Sequence, residues 1–187
     1  MSRPDKAPGS AILSEDGRYR YQLHRKVQSP LRWNRSALFV MLNPSTADAD
    51  LIDPTLATCL LFAREWGCSD LWLGNLFAYR STDWKACQRD PDPVGPENDA
   101  HLVEMAQKAE ILLCAWGAHA RAIHPMRARH VAKLLHAATD KPLFALDINK
   151  DGSPRHPLYV PLATEPVLFG TSLGLVYPPN TPWSLFE

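Results

Sequence analysis

The chain has 187 residues, 45% of them hydrophobic, and its 20 basic residues balance 20 acidic ones. This length favours one domain with a sizeable core over two domains. Zero net charge excludes a general attraction of the whole molecule to nucleic acid or an anionic membrane, so any polyanion site must be local. We interpret residues 1–187 as a single domain, with an irregular N-terminal arm (about 1–17) and a proline-rich C-terminal tail (about 166–187).

The cysteines and the N-terminus predict a cytoplasmic protein. The four cysteines contain no CxxC pair, which favours buried thiols of a reducing compartment over disulfides or metal ligands. The opening MSRPDKAPGS lacks the apolar segment of a signal peptide, and no stretch approaches the length of a membrane span. We expect no membrane partner, no metal and no cofactor.

The first predicted elements are two strands and a capped helix. Alternating residues predict a strand at 18–27, and a continuous apolar run predicts one buried on both faces at 38–42. Asp53 and Pro54 predict a helix start, because aspartate accepts hydrogen bonds from free backbone N–H groups and proline suits the first helical position. Gly67 predicts its end.

Strands and helices continue to alternate along the rest of the chain. Apolar runs predict strands at 71–78, 110–116 and 142–148, and helical patterns lie at about 98–108 and 125–138. This order is typical of an α/β three-layer sandwich, with a mostly parallel core sheet of about four strands and helices on both faces.

Polar loops follow the carboxyl ends of the four core strands. Ligands of such sheets bind at this edge, so the loops predict a binding site there. The candidate residues for substrate are Pro44, Ser45, Thr46, Asn75, Arg80, Trp116 and His119, and the candidates for catalysis are Asn43 and His156.

Several candidates have a structural alternative. Asn43-Pro44-Ser45 could be an Asx-turn and helix cap only. The Asn75 amide has apolar neighbours and needs partners if buried, which the backbone of a nearby loop could supply. The other histidines between 119 and 136 show no metal-ligand spacing and are typical of a solvated helix face.

A basic segment predicts a local phosphate site. Residues 115–138 contain no Asp or Glu but include Arg121, Arg127 and Arg129. A helix N-terminus near Pro125 would add partial positive charge. The alternative is a solvated basic face that balances the acidic segment before it.

The sequence resembles a known family through ordered motifs. The stretches MLNPSTAD, DPT, NLFAYRSTD, DPVGPEND, WGAH and PRHPLY resemble the bacterial and phage family called domain of unknown function 1643, over residues 19–166. More distantly, the chain resembles the uracil-DNA glycosylase superfamily: Asn43-Pro44 matches a G-x-[D/N]-P motif, Asn75 closes an apolar strand, a third strand runs into Trp116-Gly117, and His156-Pro157 matches the start of H-P-S.

The distant resemblance implies a uracil-DNA-glycosylase-like fold and specific roles. Asn43 would position a water, and His156 would donate to the charge that develops on a base carbonyl. Asn75 would read the edge of an extruded pyrimidine. Ser45 and Ser153 would hold phosphates.

Departures from that superfamily keep three functions open. Met41 stands where the superfamily has glycine, Leu158 replaces a serine, and Asn43 cannot take a proton as aspartate can. The leading interpretation is a base-processing enzyme that hydrolyses the N-glycosidic bond of a damaged or modified base. The alternatives are a small-molecule nucleoside or nucleotide glycosyl hydrolase or transferase, and a non-catalytic nucleic-acid-binding module. The expected partner is DNA or a nucleotide-like ligand.

Overall fold

The computed structural model describes residues 9–29, 35–45 and 52–177. Within them the chain forms one sheet of seven strands together with five helices. The strands are β1 (Gly9–Leu13), β2 (Arg20–Lys26), β3 (Arg35–Met41), β4 (Cys68–Asn75), β5 (Ile111–Cys114), β6 (Leu143–Ala145) and β7 (Val167–Phe169). The helices are α1 (Pro54–Glu65), α2 (Trp84–Arg89), α3 (Asn98–Lys108), α4 (Ala120–Ile123) and α5 (Arg127–Thr139).

The sheet is mixed, with strand order β1-β2-β4-β3-β5-β6-β7. Strand β3 pairs in parallel with β4 and β5, and β5 pairs in parallel with β6. The outer pairs, β1 with β2, β2 with β4 and β6 with β7, are antiparallel. The predicted α/β class is confirmed, and the sheet has more strands than the predicted number of about four.

Two segments predicted to be irregular contain strands. Strand β1 lies in the N-terminal arm and β7 in the C-terminal tail. Both are edge strands with few buried residues: only the central residue of the five in β1 is even partly buried. Edge strands with one solvated side lack a strong apolar pattern. The prolines at both ends of the chain therefore led to a prediction of irregular structure.

The core lies on both faces of the sheet. On one face Leu38 and Val40 of β3 join the cluster that packs on α3 and α5. On the other, Phe39 and Met41 join the cluster that packs on α1. The apolar run that forms β3 is therefore covered on both faces of the sheet, as predicted. All four cysteines are buried and free, as predicted.

Local signals explain several boundaries that position the site. Helix α1 begins where predicted, since the Asp53 carboxylate accepts from Leu56 N–H at 2.7 Å and Pro54 follows it. Strand β4 ends at Asn75 rather than residue 78, because the chain bends at Leu76, whose N–H makes a last bond to the Met41 carbonyl of β3 at 2.9 Å. That turn leaves Asn75 at the carboxyl edge of the sheet. Among the described residues, no helix combines the length and apolar character needed to cross a membrane.

Candidate functional site

A cleft of about 650 Å³ lies at the carboxyl ends of β3, β4 and β5. Its volume falls within the usual range for small-molecule sites. The structure brings six of the predicted site residues to its walls: Asn43, Ser45, Asn75, Trp116, His119 and His156.

Asn75 presents an unpaired amide to this cleft. The residue is 4% exposed, and its side chain has no hydrogen-bond partner among the described residues. Its backbone is fixed, because Asn98 Nδ2 donates to the carbonyls of Asn75 at 3.0 Å and Leu76 at 3.2 Å. An amide that lines a cleft without a protein partner is suited to a ligand that supplies both a donor and an acceptor.

Arg127 braces the same turn from inside the fold. It is buried, its Nε donates to the Leu76 carbonyl at 2.7 Å, and its guanidinium lies 2.6 Å from the Asp99 carboxylate. This position does not fit the predicted phosphate contact. The charge pattern of α5 could not predict that Arg127 is buried, because its partner Asp99 lies on another helix, α3.

The remaining predicted residues lie outside the walls of the cleft. Arg121 and Arg129 are exposed. Arg80 donates to the Gly17 carbonyl at 3.0 Å, and the Ser153 hydroxyl donates to Asp151 at 2.6 Å. Pro44 is buried and its carbonyl accepts from Ser81 N–H. Thr46 lies outside the described residues.

The amide nitrogen of Asn43 is hydrogen-bonded to the protein, and its amide oxygen is not. Its Nδ2 donates to the carbonyl of Ser81 at 2.7 Å and to that of Pro44 at 3.3 Å. These bonds fix which amide atom is the nitrogen, and they leave Oδ1 without a partner among the described residues. Asn43 can therefore accept a hydrogen bond from a water or a ligand in the cleft.

His156 is held as a neutral donor. Its Nδ1 accepts from Leu158 N–H at 3.3 Å, which places the ring proton on Nε2. Burial lowers the pKa of His156, and the negative charge of Asp53 opposes this only in part. The ring therefore stays neutral at pH 7 and can donate through Nε2.

Asp53 is a site residue that sequence reasoning assigned only to a helix cap. Its Oδ1 makes the cap bond, and its Oδ2 accepts from the Ser45 hydroxyl at 3.1 Å. Among the described residues that line the cleft it is the single carboxylate. The signal available in the sequence was the position of Asp53 nine residues after Pro44, in the loop that follows β3, and a helix cap explains an aspartate there equally well.

Two arginines of β2 also line the cleft and were missed. Arg20 and Arg25 contribute to its wall, and Arg25 is only 4% exposed. Burial, then the positive charge of Arg80, lowers the pKa of the Arg20 guanidinium to about 10. The Arg20 Nε–H is buried and has no hydrogen-bond partner among the described residues. In the sequence, Arg20 and Arg25 are two charged residues in a strand that otherwise alternates. A strand with one face in solvent has the same pattern, so the pattern alone does not predict a cleft wall.

Aromatic side chains line the cleft beside these polar groups. Trp84 stacks on His119, with ring centroids 4.4 Å apart and planes 9° apart. Trp116 packs edge-on against Phe169 at 5.4 Å, and Tyr159 is 69% exposed on the rim. Flat apolar faces of this kind suit a planar ring.

Comparison with known proteins supplies a family. No curated protein and no solved structure matches the chain. The family described as protein of unknown function (DUF1643) matches residues 20–158, a span that includes every cleft-lining residue described above except Tyr159. On this match over most of its length, the chain belongs to that family.

Proposed function

We propose that the protein hydrolyses the N-glycosidic bond of a damaged or modified base held in the cleft. The observation that carries the proposal is the Asn75 amide, which lines the cleft without a hydrogen-bond partner among the described residues and shares it with the neutral donor His156. An asparagine amide offers two donors and one acceptor oxygen, which matches the edge of a pyrimidine-type base. Trp116 and the Trp84–His119 stack offer aromatic faces in the same cleft.

His156 would act on the departing base. As the glycosidic bond breaks, its electron pair moves onto the base, and negative charge develops on a base carbonyl oxygen. A neutral imidazole that donates from Nε2 stabilises this charge without first losing a proton. The Leu158 N–H bond to Nδ1 holds the ring in the required tautomer.

Asn43 and Asp53 would act on the sugar side. Asn43 Oδ1 accepts from the attacking water, whose oxygen forms the new bond to the anomeric carbon. Asp53 supplies the carboxylate that Asn43 lacks: it offsets the positive charge on the sugar and takes the proton that the water releases. The base leaves as an anion and takes a proton from solvent.

The sheet arrangement supports a uracil-DNA-glycosylase-like fold as part of the proposal. The strands β4, β3, β5 and β6 form a parallel core, and helices cover both faces. The proposed groups follow β3, β4, β5 and β6 at one edge, in the order expected from the resemblance.

The direct test is a screen for cleavage of uracil, hydroxymethyluracil, mismatched and other modified bases, both in oligonucleotides and as free nucleosides and nucleotides. With any substrate that the wild-type protein cleaves, His156→Ala should lower the turnover rate about a hundredfold or more while substrate binding largely survives. Asn43→Ala should lose activity, and Asn43→Asp should retain or raise it.

The control is Arg64→Gln, which removes a charge from an exposed position of α1 outside the cleft. Wild-type rates in both His156→Ala and Asn43→Ala, with folding intact by circular dichroism, would show that the activity lies elsewhere. Absence of cleavage across the whole screen would count against the reaction class.

Exposed Arg121 and Arg129 remain candidates for DNA backbone contacts. If DNA is the substrate, changing either to alanine should weaken binding across all sequences and reduce the salt slope by about one. An unchanged slope in both variants would favour a small-molecule substrate.

A further inference from the structure

The wall of the cleft formed by β2 carries more positive charge than the fold requires. Arg20 and Arg25 both line the cleft, and burial and the positive charge of Arg80 disfavour the charge of Arg20, an effect that the negative charge of Asp53 offsets only in part. Like charges brought together in a partly desolvated wall repel.

Among the described residues that line the cleft, three arginines face a single carboxylate. Asp53 is the single carboxylate among the described residues lining the cleft, and it already accepts the helix cap and the Ser45 hydroxyl. The third cleft-lining arginine, Arg155, is exposed and is paired with Asp147 at 2.9 Å. Arg20 makes no such ion pair with the described residues, and its Nε–H is buried without a partner.

We propose that Arg20, supported by the charge of Arg25, forms a phosphate-binding subsite inside the cleft. A phosphate group carries close to two negative charges at neutral pH and three strong acceptor oxygens. The planar guanidinium of arginine matches that geometry through two parallel N–H donors. A carboxylate or a phosphodiester, each with a single charge, would compensate less of this positive charge than a phosphate monoester does.

The subsite also points to the substrate class. If the proposed glycosidic cleavage is correct, the phosphate belongs to a nucleotide whose base contacts Asn75, so the substrate is a free mononucleotide or a nucleotide within a strand. This assignment rests on the proposed function, whereas the phosphate subsite does not.

Binding can be measured without any cleavage. Inorganic phosphate added to the wild-type chain should shift the Arg20 Nε–H signal in ¹H–¹⁵N spectra, a signal identified by its loss in Arg20→Gln. In calorimetry at about 0.15 M salt, a nucleoside 5′-monophosphate should bind wild type roughly tenfold or more tightly than it binds Arg20→Gln, the range expected for one lost charge-assisted hydrogen bond. Arg20→Lys keeps the positive charge but lacks the two parallel N–H donors of the guanidinium, so its affinity should lie between those of wild type and Arg20→Gln.

The controls separate the competing explanations. Arg64→Gln removes one surface charge and should bind the monophosphate as wild type does. Equal affinity of wild type and Arg20→Gln for phosphate and for the monophosphate would overturn the subsite. So would acetate that binds as well as phosphate and depends equally on Arg20, because the site would then be one for carboxylates.

Two further comparisons are informative. One distinguishes a free nucleotide from a nucleic-acid strand as the source of the phosphate, and the other tests the phosphate subsite separately from the glycosidic reaction. Tighter binding of a single-stranded oligonucleotide than of the monophosphate, lost in Arg20→Gln, assigns the subsite to a strand, and the reverse order assigns it to a free nucleotide. Phosphate binding without any base cleavage supports the subsite and counts against the glycosidic reaction. Cleavage that is insensitive to Arg20, with no phosphate shift, refutes the subsite and leaves the reaction standing.

Discussion

Replacement of Arg20 by glutamine is expected to stabilise the ligand-free protein. Arg20 keeps its charge in a wall where burial and the neighbouring Arg80 disfavour it, and these effects lower the pKa of its guanidinium to about 10. A base whose pKa is lower in the folded state destabilises that state wherever both states are protonated. Glutamine retains a polar side chain of similar shape and removes the charge.

The magnitude follows from the pKa. A free arginine has a pKa of about 12.5 or above, and each pKa unit corresponds to about 1.4 kcal/mol. The charge of Arg20 therefore costs the folded state up to about 3 kcal/mol at neutral pH. Water in the open cleft screens part of this cost, and glutamine loses some packing of the arginine stem. We expect a net gain of about 1 to 2 kcal/mol, which corresponds to a rise in Tm of about 2 to 8 °C for a chain of this size.

Urea unfolding at several pH values tests the electrostatic origin. Below pH 9 Arg20 is protonated in both states, so the gap between Arg20→Gln and wild type should be constant there. Above about pH 10 the folded state releases the proton and the gap should narrow. Added phosphate should narrow it too, because phosphate stabilises wild type alone. An Arg20→Gln variant that is less stable than wild type at every pH, with Arg64→Gln unchanged, would refute the reasoning.

Three other changes test the scaffold behind the cleft. Asn98→Ala removes two hydrogen bonds to the turn after β4 from a fully buried position, and urea unfolding should show a loss of about 2 to 4 kcal/mol. Gly74→Ala would place a methyl group 2.6 Å from Leu102 Cδ2, and the overpacking should cost about 1 to 3 kcal/mol in the same assay; wild-type stability would mean that the side chains of Leu102 and Met105 repack without cost. Burial alone would raise the pKa of Asp99, but Arg127 and His130 together outweigh it and lower that pKa. Asp99→Asn should therefore be less stable than wild type at pH 7, and the difference should shrink as the pH falls below about 4, where wild type also loses the charge; a difference independent of pH would contradict the ion pair.

The elements that sequence reasoning located well are those with a local or strongly periodic signal. The run at 38–42 contains only apolar residues because both faces of β3 are covered. The cap at Asp53 depends on the backbone N–H of Leu56, three residues away. Such signals are complete within a short window, so no tertiary information is needed to interpret them.

The features that sequence reasoning missed depend on contacts between distant segments. Arg127 is in a basic segment but is buried because Asp99 and the Leu76 carbonyl lie opposite it. Arg20 is on a strand and faces the cleft because β2 pairs with β4, far along the chain. Charge alone cannot distinguish a solvated arginine, a structural one and one that lines a cleft, because the partner decides the role.

Asn75 and Arg20 lead to the same conclusion from two independent physical effects. One is an amide that lines the cleft without a hydrogen-bond partner among the described residues, and the other is a desolvated cation whose Nε–H is unpartnered. The charge of Arg20 costs stability in the empty protein, and selection for stability alone would replace this residue by a better-packed one. Both lie in the same cleft, where one ligand with a hydrogen-bonding ring edge and an anionic group would satisfy them together. A nucleotide has both groups, whereas a nucleoside would leave Arg20 unsatisfied and inorganic phosphate would leave Asn75 unsatisfied. Binding should therefore be tighter for the monophosphate than for either part, and Asn75→Ala should remove the advantage over inorganic phosphate while the phosphate shift of Arg20 is kept.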